Sequence, residues 1–174
     1  WSSDVCSSDL EQAASRVLQG SHRYVADYLM QEVLNHLPEH IQLFLEQTSL
    51  LERLQGKLCE AVTGQPEGQH MLVLLEQANL FLVPLDETRQ WYRYHHLFRD
   101  VLFQRLTRHR SEDIAELHRR AARWFVQERM FTEAVAHAHA AGDFVTLAEC
   151  IEQSQAALLD RGENTTLVAW LHLL

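Results

Sequence analysis

Apolar residues recur every three or four positions along most of this chain, the spacing that lines one face of a helix, and give way to β-forming runs in one short stretch. Ser21 suits an N-cap, and Val25, Leu29 and Val33 then mark a helix to about Leu37. Pro38 fits the first turn of a second helix, Pro38–Thr48, with Ile41, Phe44 and Leu45 on its stripe. Lys57–Thr63 reads as a short third helix closed by Gly64, Gln65–Gly68 as a loop, and Met71, Leu74, Leu75 and Ala78 as the face of a fourth helix. Here the pattern breaks. Leu80–Val83 and Trp91–His95 flank a polar turn holding Pro84, Asp86, Glu87 and Thr88, so the stretch Asn79–Asp100 is predicted to contain a β-hairpin. A lone hairpin is marginal in water and must lie against the preceding helices and the amphipathic run His96–His109, which carries Leu97, Val101, Leu102 and Leu106. Helices, then a hairpin, then a helix is the order of a winged-helix unit.

Beyond Ser111, a suitable N-cap, no further strand is signalled. Ile114, Leu117, Ala121, Trp124 and Phe125 line one helix and Ala134, Ala138 and Ala141 the next, where small side chains let paired helices approach closely. Gly142 ends that helix and Asp143 caps another carrying Phe144, Leu147, Ala148, Ile151 and Leu158. The expected fold is mainly α: a winged-helix-like subdomain with one β-hairpin, followed by TPR-like antiparallel helical hairpins. Residues 11–37 are expected to end an upstream helical segment, 38–110 to form the winged-helix subdomain, and 111–174 a TPR-like helical arm. Trp1–Leu10 (WSSDVCSSDL) reads back into codons that resemble a common sequencing adapter, so residues 1–10 are treated as an artefact with no fold. Glu11 then need not lie near a native N-terminus, and Leu167–Leu174 halts in mid-helix, so truncation is expected at both ends.

With 174 residues, 47% apolar and 22% charged, the chain is long enough for a real core. A net charge of −9 argues against general polyanion binding. Cys6, Cys59 and Cys150 form no metal or disulfide pattern and read as buried thiols in a reducing compartment. Neither a membrane-spanning run nor a signal peptide is evident, so a cytoplasmic location and no membrane partner are expected. Eleven histidines show no HExxH and no carboxylate spacing that completes a metal site. Apart from His95 and His96, they read as solvated or capping side chains. Adjacent His95 and His96 are expected to point apart. No GxxxxGK[ST], GxGxxG or GxSxG occurs, so no triphosphate is bound unaided and no enzymatic activity is expected of this chain.

Thr88–Arg110 is locally basic: Arg89, Arg93, Arg99, Arg105, Arg108 and Arg110 stand against Asp100, interleaved with Trp91, Tyr92 and Tyr94. A DNA-binding wing would show this pattern. So would an interdomain face on which arginines meet carboxylates or a bound phosphate, and the apolar run Met71–Leu75 before the wing, unsuited to reading a groove, favours that second reading.

Four segments carry a family resemblance: SHRYVADYLMQEVL from Ser21, FLEQTSLLERLQGKLCEAVTG from Phe44, LEQANLFLVPLDETRQWYRYHHLF from Leu75, and LHRRAARWFVQERMFTEAVAHAHAAGD from Leu117. They resemble successive parts of the large ATP-binding LuxR-type regulators, the MalT group, most specifically at NLFLVPLD and YRYHHLF. In that group a P-loop ATPase module of the STAND class precedes a winged-helix subdomain, a helical arm, a superhelical sensor domain and a C-terminal helix-turn-helix. The resemblance implies that this chain supplies the winged helix and arm, with ATP or ADP bound by the intact parent. It also implies, as partners, the ATPase, sensor and helix-turn-helix modules of the same chain, DNA and RNA polymerase through the parent, and inducer-dependent self-association.

The resemblance further implies a site. Related STAND proteins carry a Met-His-Asp motif whose histidine contacts the β-phosphate of ADP, and Tyr94-His95-His96 can be laid onto it. His95 then falls at the sensing position, with Arg93 and Arg99 as interdomain, anion-facing cations. His96 stands where the motif has Asp. The leading expectation is a nucleotide-state switch and interdomain lever in an ATP-dependent, inducer-responsive transcription activator. The alternatives are a DNA-binding winged helix and a TPR-like protein-interaction scaffold.

Overall fold

The computed structural model describes residues 31–174. The adapter-like segment and most of the helix expected from Ser21 lie outside the described residues; residues 31–35 are helical. Helix α1 (Glu39–Thr48) follows Pro38, α2 spans Gly56–Thr63 and α3 Gly68–Gln77. Strands β1 (Leu82–Pro84) and β2 (Tyr92–Tyr94) form the antiparallel hairpin, with Leu82 opposite Tyr94, Val83 opposite Arg93 and Pro84 opposite Tyr92. Pro84 thus closes the first strand instead of opening the turn. The turn is held by the Asp86 carboxylate, which accepts the N–H groups of Gln90 at 3.0 Å and Trp91 at 2.9 Å and the Thr88 hydroxyl. Leu54, between α1 and α2, adds a third, one-residue bridge: its N–H donates to Tyr92 O at 2.7 Å and it accepts from Tyr92 N at 2.9 Å.

Helix α4 (His96–His109) follows the hairpin and packs on α1. Tyr92, Phe98, Leu102 and Leu106 are fully buried there with Phe44, Leu45 and Leu54. At the crossing of α2 and α3 only glycine fits: a Cβ on Gly56 would stand 2.7 Å from Gln69 Cβ, and one on Gly68 would run into the Gly56 carbonyl. Helix α3 buries Leu72 and Leu75, whereas Leu74, expected on the inner face, is exposed. Five consecutive apolar residues, Met71–Leu75, leave the period ambiguous, and the packing partners on one side decide it.

After a 3₁₀ turn (Ser111–Asp113) come α5 (Ile114–Gln127), α6 (Phe131–Ala140), α7 (Phe144–Asp160) and α8 (Asn164–Leu171). Ser111 opens that turn and does not cap α5. Each helix packs against the next, so the segment is a run of helical hairpins. The three turns share one closure, a left-handed residue followed by an N–H reaching back five residues: Met130 to Phe125 O, Asp143 to Ala138 O and Glu163 to Leu158 O, at 2.9, 2.9 and 2.8 Å. Asp143 then caps α7 through Thr146 N, as its position suggested, while Phe144, expected in the core, is half-exposed. Ala134 and Ala138 are fully buried at the hairpin contacts. Cys59 and Cys150 are free and buried, and burial pushes the Cys59 thiol up to about 12, so it is not a nucleophile at neutral pH. Helix α5 also packs on α2, which joins the arm to the winged-helix part. Among the described residues no helix is long and apolar enough to cross a membrane.

Candidate functional site

Strand alternation sets the first half of the site. Tyr92 and Tyr94 turn inward, so Arg93 between them projects outward. The Tyr94 hydroxyl lies 2.8 Å from Thr48 Oγ1, whose own proton goes to Phe44 O at 2.7 Å, so the phenol donates. Burial raises the Tyr94 pKa, and this side chain is structural. Directly after it His95 serves as N-cap of α4 with φ −57° and ψ 135°. Its N–H donates to Phe81 O at 2.8 Å and its carbonyl accepts from Arg99 N at 3.0 Å. The imidazole makes no capping bond. The ring is therefore available to the space in front of the helix, where the first-turn N–H groups and the positive end of the helix dipole also point.

That space is a cleft of about 540 Å³ lined by Arg93, Tyr94, His95, His96, Arg99 and, from the α1–α2 connection, Glu52 and Arg53, with Val83 and Leu85 as its apolar edge. All three residues expected at an anion site, Arg93, His95 and Arg99, line it. Among the described residues Arg93 and Arg99 form no ion pair. His95 and His96 do not point apart: their rings lie 4.4 Å apart at 32°, and both line the cleft. The junction between extended His95 and helical His96 obeys neither the strand nor the helix rotation on which that expectation rested. Guanidinium groups, imidazoles and free amide N–H groups form a donor set suited to an oxyanion such as phosphate; Glu52 is the opposing charge.

Three other arginines of the basic stretch are engaged elsewhere, while Arg108, in the last turn of α4, is exposed and among the described residues forms no ion pair. Arg105 donates to Glu46 at 2.9 Å, Asn35 at 3.0 Å and Gln42 at 3.1 Å; Arg89 faces Glu76 at 3.5 Å and Arg110 faces Asp113 at 3.8 Å. Helix α3, which precedes the hairpin, carries no Lys or Arg. Of the arginines left without a carboxylate, Arg93 and Arg99 meet at His95 and Arg108 stands apart at the far end of α4, an arrangement that does not make a continuous face along a duplex.

A second cleft, about 330 Å³, lies between the winged-helix part and the arm, walled by Leu50, Trp91, Phe125, His118 and His137 and again by Glu52 and Arg53. His118 and His137 are not solvated or capping. Their Nδ1 atoms stand 2.8 Å apart, and the His137 ring stacks on Phe125 at 5.4 Å and 19°. Burial lowers both pKa values, His137 to about 4 with the neighbouring His118 adding to the effect, so the pair is neutral at pH 7 with opposite tautomers. The folded state thus binds fewer protons than the unfolded chain below about pH 6.5, and stability is complete above that value and lost as pH falls toward 4. Between pH 7 and pH 5 the expected loss is about 2 kcal/mol. Urea midpoints across this window would measure it, and His137→Gln should flatten the profile; an equally steep variant would place the protons elsewhere.

Residues 30–114 match the family model of the MalT winged helix domain. This chain carries a MalT winged helix domain. The likeness to known proteins extends beyond that domain. The serine/threonine-protein kinase PknK of Mycobacterium tuberculosis (strain CDC 1551 / Oshkosh) is 38% identical over 154 residues, covering 88% of this chain and 14% of that protein. The HTH-type transcriptional regulator MalT of Cronobacter sakazakii is 33% identical over 158 residues, covering 91% and 18%. MalT of Klebsiella pneumoniae (strain 342) is 31% identical over 175 residues, covering 96% and 19%. The chain spans less than a fifth of the length of these relatives. Within the MalT winged helix domain, Arg93, His95, His96 and Arg99 are contiguous with the hairpin. Glu52 and Arg53 come from some forty residues earlier, brought in by the Leu54 bridge.

Proposed function

We propose that this chain is the nucleotide-sensing winged helix and helical arm of an ATP-dependent, inducer-responsive transcription activator, a switch and lever with no chemistry of its own. The convergence of Arg93, His95, His96 and Arg99 on one cleft at the start of α4 carries this reading. ADP, held by an ATPase module elsewhere in the parent, supplies a β-phosphate that changes with nucleotide state. His95 donates an imidazole N–H to it, Arg93 and Arg99 bias the local potential toward anions, and the helix N-terminus adds aligned amides. His96, in place of the related motif's Asp, lies against His95 and restricts its ring. Losing that contact on exchange for ATP would release the domain and permit self-association, with DNA and RNA polymerase engaged through other parts of a cytoplasmic parent. The shared stretch in proteins named for kinase activity and for transcription regulation supports a role common to both, which a switch is.

In the intact parent, His95→Ala should lower ADP retention about tenfold or more, the value of one charge-assisted hydrogen bond, and raise inducer-independent transcription. Equilibrium ADP binding and a reporter assay measure the two effects. Unchanged retention and unchanged basal activity would dismiss the assignment.

A further inference from the structure

We propose that Arg53 is a shared cation, for which the Glu133 carboxylate of the arm and an anion in the His95 cleft compete. Arg53 lines both clefts, together with Glu52. Its backbone is fixed, because Leu54 exchanges two hydrogen bonds with Tyr92, and the antiparallel register of that bridge sets Arg53 beside Arg93. Two like charges side by side repel. The Arg53 guanidinium is instead paired with the arm, with Nη2 at 2.6 Å from Glu133 Oε1 and its guanidinium carbon 5.5 Å from the centre of the Trp91 ring.

This resting contact is weak by construction. Half of the Arg53 side chain and a third of Glu133 are solvent-exposed. Such a pair shifts an equilibrium by only about 1.5- to 5-fold. A phosphate between Arg93 and Arg53 would turn their repulsion into a clamp, and the guanidinium fork suits phosphate as well as carboxylate. Glu52, on the same wall, opposes the anion in either position of Arg53. Binding in the cleft therefore draws Arg53 off Glu133 and loosens the tie between winged helix and arm. By reciprocity, a strengthened arm contact weakens anion binding.

The inference rests on the phosphate reading of the His95 cleft, and one titration separates the two. The 174-residue chain is titrated with inorganic pyrophosphate, with the Trp91 indole and arginine Nε resonances followed by NMR. The wild type should bind; Glu133→Gln should tighten binding about 1.5- to 5-fold, and Arg53→Ala should weaken it about threefold or more. In the Arg53→Ala background Glu133→Gln should change nothing. Wild-type binding that His95→Ala weakens, but that Glu133→Gln leaves unmoved or weakens, overturns the competition and leaves the cleft reading standing. A wild type whose resonances do not move at saturating pyrophosphate overturns both, because a cleft with no intrinsic affinity for the group can neither draw Arg53 off Glu133 nor contribute to a β-phosphate presented by another module.

Discussion

Replacing Phe98 by alanine is expected to lower the unfolding free energy by about 3–5 kcal/mol, the usual result of emptying a fully buried aromatic site. Phe98 is wholly buried in the first turn of α4, with its ring centre 5.0 Å from Phe81 and 5.8 Å, edge-on, from Tyr94. Both neighbours are tied to His95: Phe81 accepts its N–H, and Tyr94 precedes it in the chain. The substitution should therefore disturb the His95 and His96 ring resonances along with stability, whereas Phe98→Leu, closer in volume, should cost less than about 1.5 kcal/mol. Urea unfolding measures both. A loss below about 1 kcal/mol for the alanine variant would mean that Phe98 does not anchor the packing around His95.

The second large effect is expected at Glu46. Its carboxylate is almost fully buried and accepts Arg105 Nε, while the other Arg105 nitrogens reach Asn35 and Gln42, so one guanidinium ties α1 and the segment before it to α4. Glu46→Ala leaves that cation without its counter-charge and is expected to destabilise by about 2–4 kcal/mol. Glu46→Gln keeps an acceptor and should cost roughly half as much. The double change Glu46→Leu with Arg105→Met should cost less than Glu46→Ala alone, because it removes the uncompensated charge as well as the bond. A double variant worse than the single would show that the ion pair itself, not the orphaned cation, sets the effect.

Much of this architecture was legible in the residue pattern, for reasons that differ by element. The hairpin stood out because β-forming runs flank a turn built on Asp86, and the Gly142–Asp143 boundary because one residue ends a helix and the next caps another. Phe98 was missed because Leu97, beside it, satisfies the same helical spacing; the neighbours Phe81 and Tyr94 choose between them. The grouping of Arg93, His95 and Arg99 at one cleft was legible through their nearness in sequence and the resemblance of Tyr94-His95-His96 to the related motif. Arg53 and Glu52 were not, since only the Leu54–Tyr92 bridge, a contact across nearly forty residues, brings them to the cleft. The His118–His137 pair escaped for a similar reason. Each residue alone resembles a surface histidine, and it is the α5–α6 hairpin that sets them face to face.

The basic stretch shows how composition and geometry diverge. Six arginines in sequence suggest a continuous positive face, but Arg105 is consumed inside, Arg89 and Arg110 face carboxylates, Arg93 and Arg99 meet at one cleft, and Arg108 is exposed alone at the other end of α4. A concentrated cluster at a helix start suits a single phosphate group better than a nucleic-acid backbone.

The most direct measurement is the structure of an ADP-loaded parent protein. The account predicts an imidazole nitrogen of His95 within hydrogen-bond distance, about 2.6–3.2 Å, of a β-phosphate oxygen, with Arg93 and Arg99 around the same group. A His95 ring turned away from the nucleotide, with the phosphates held wholly by other modules, would contradict it.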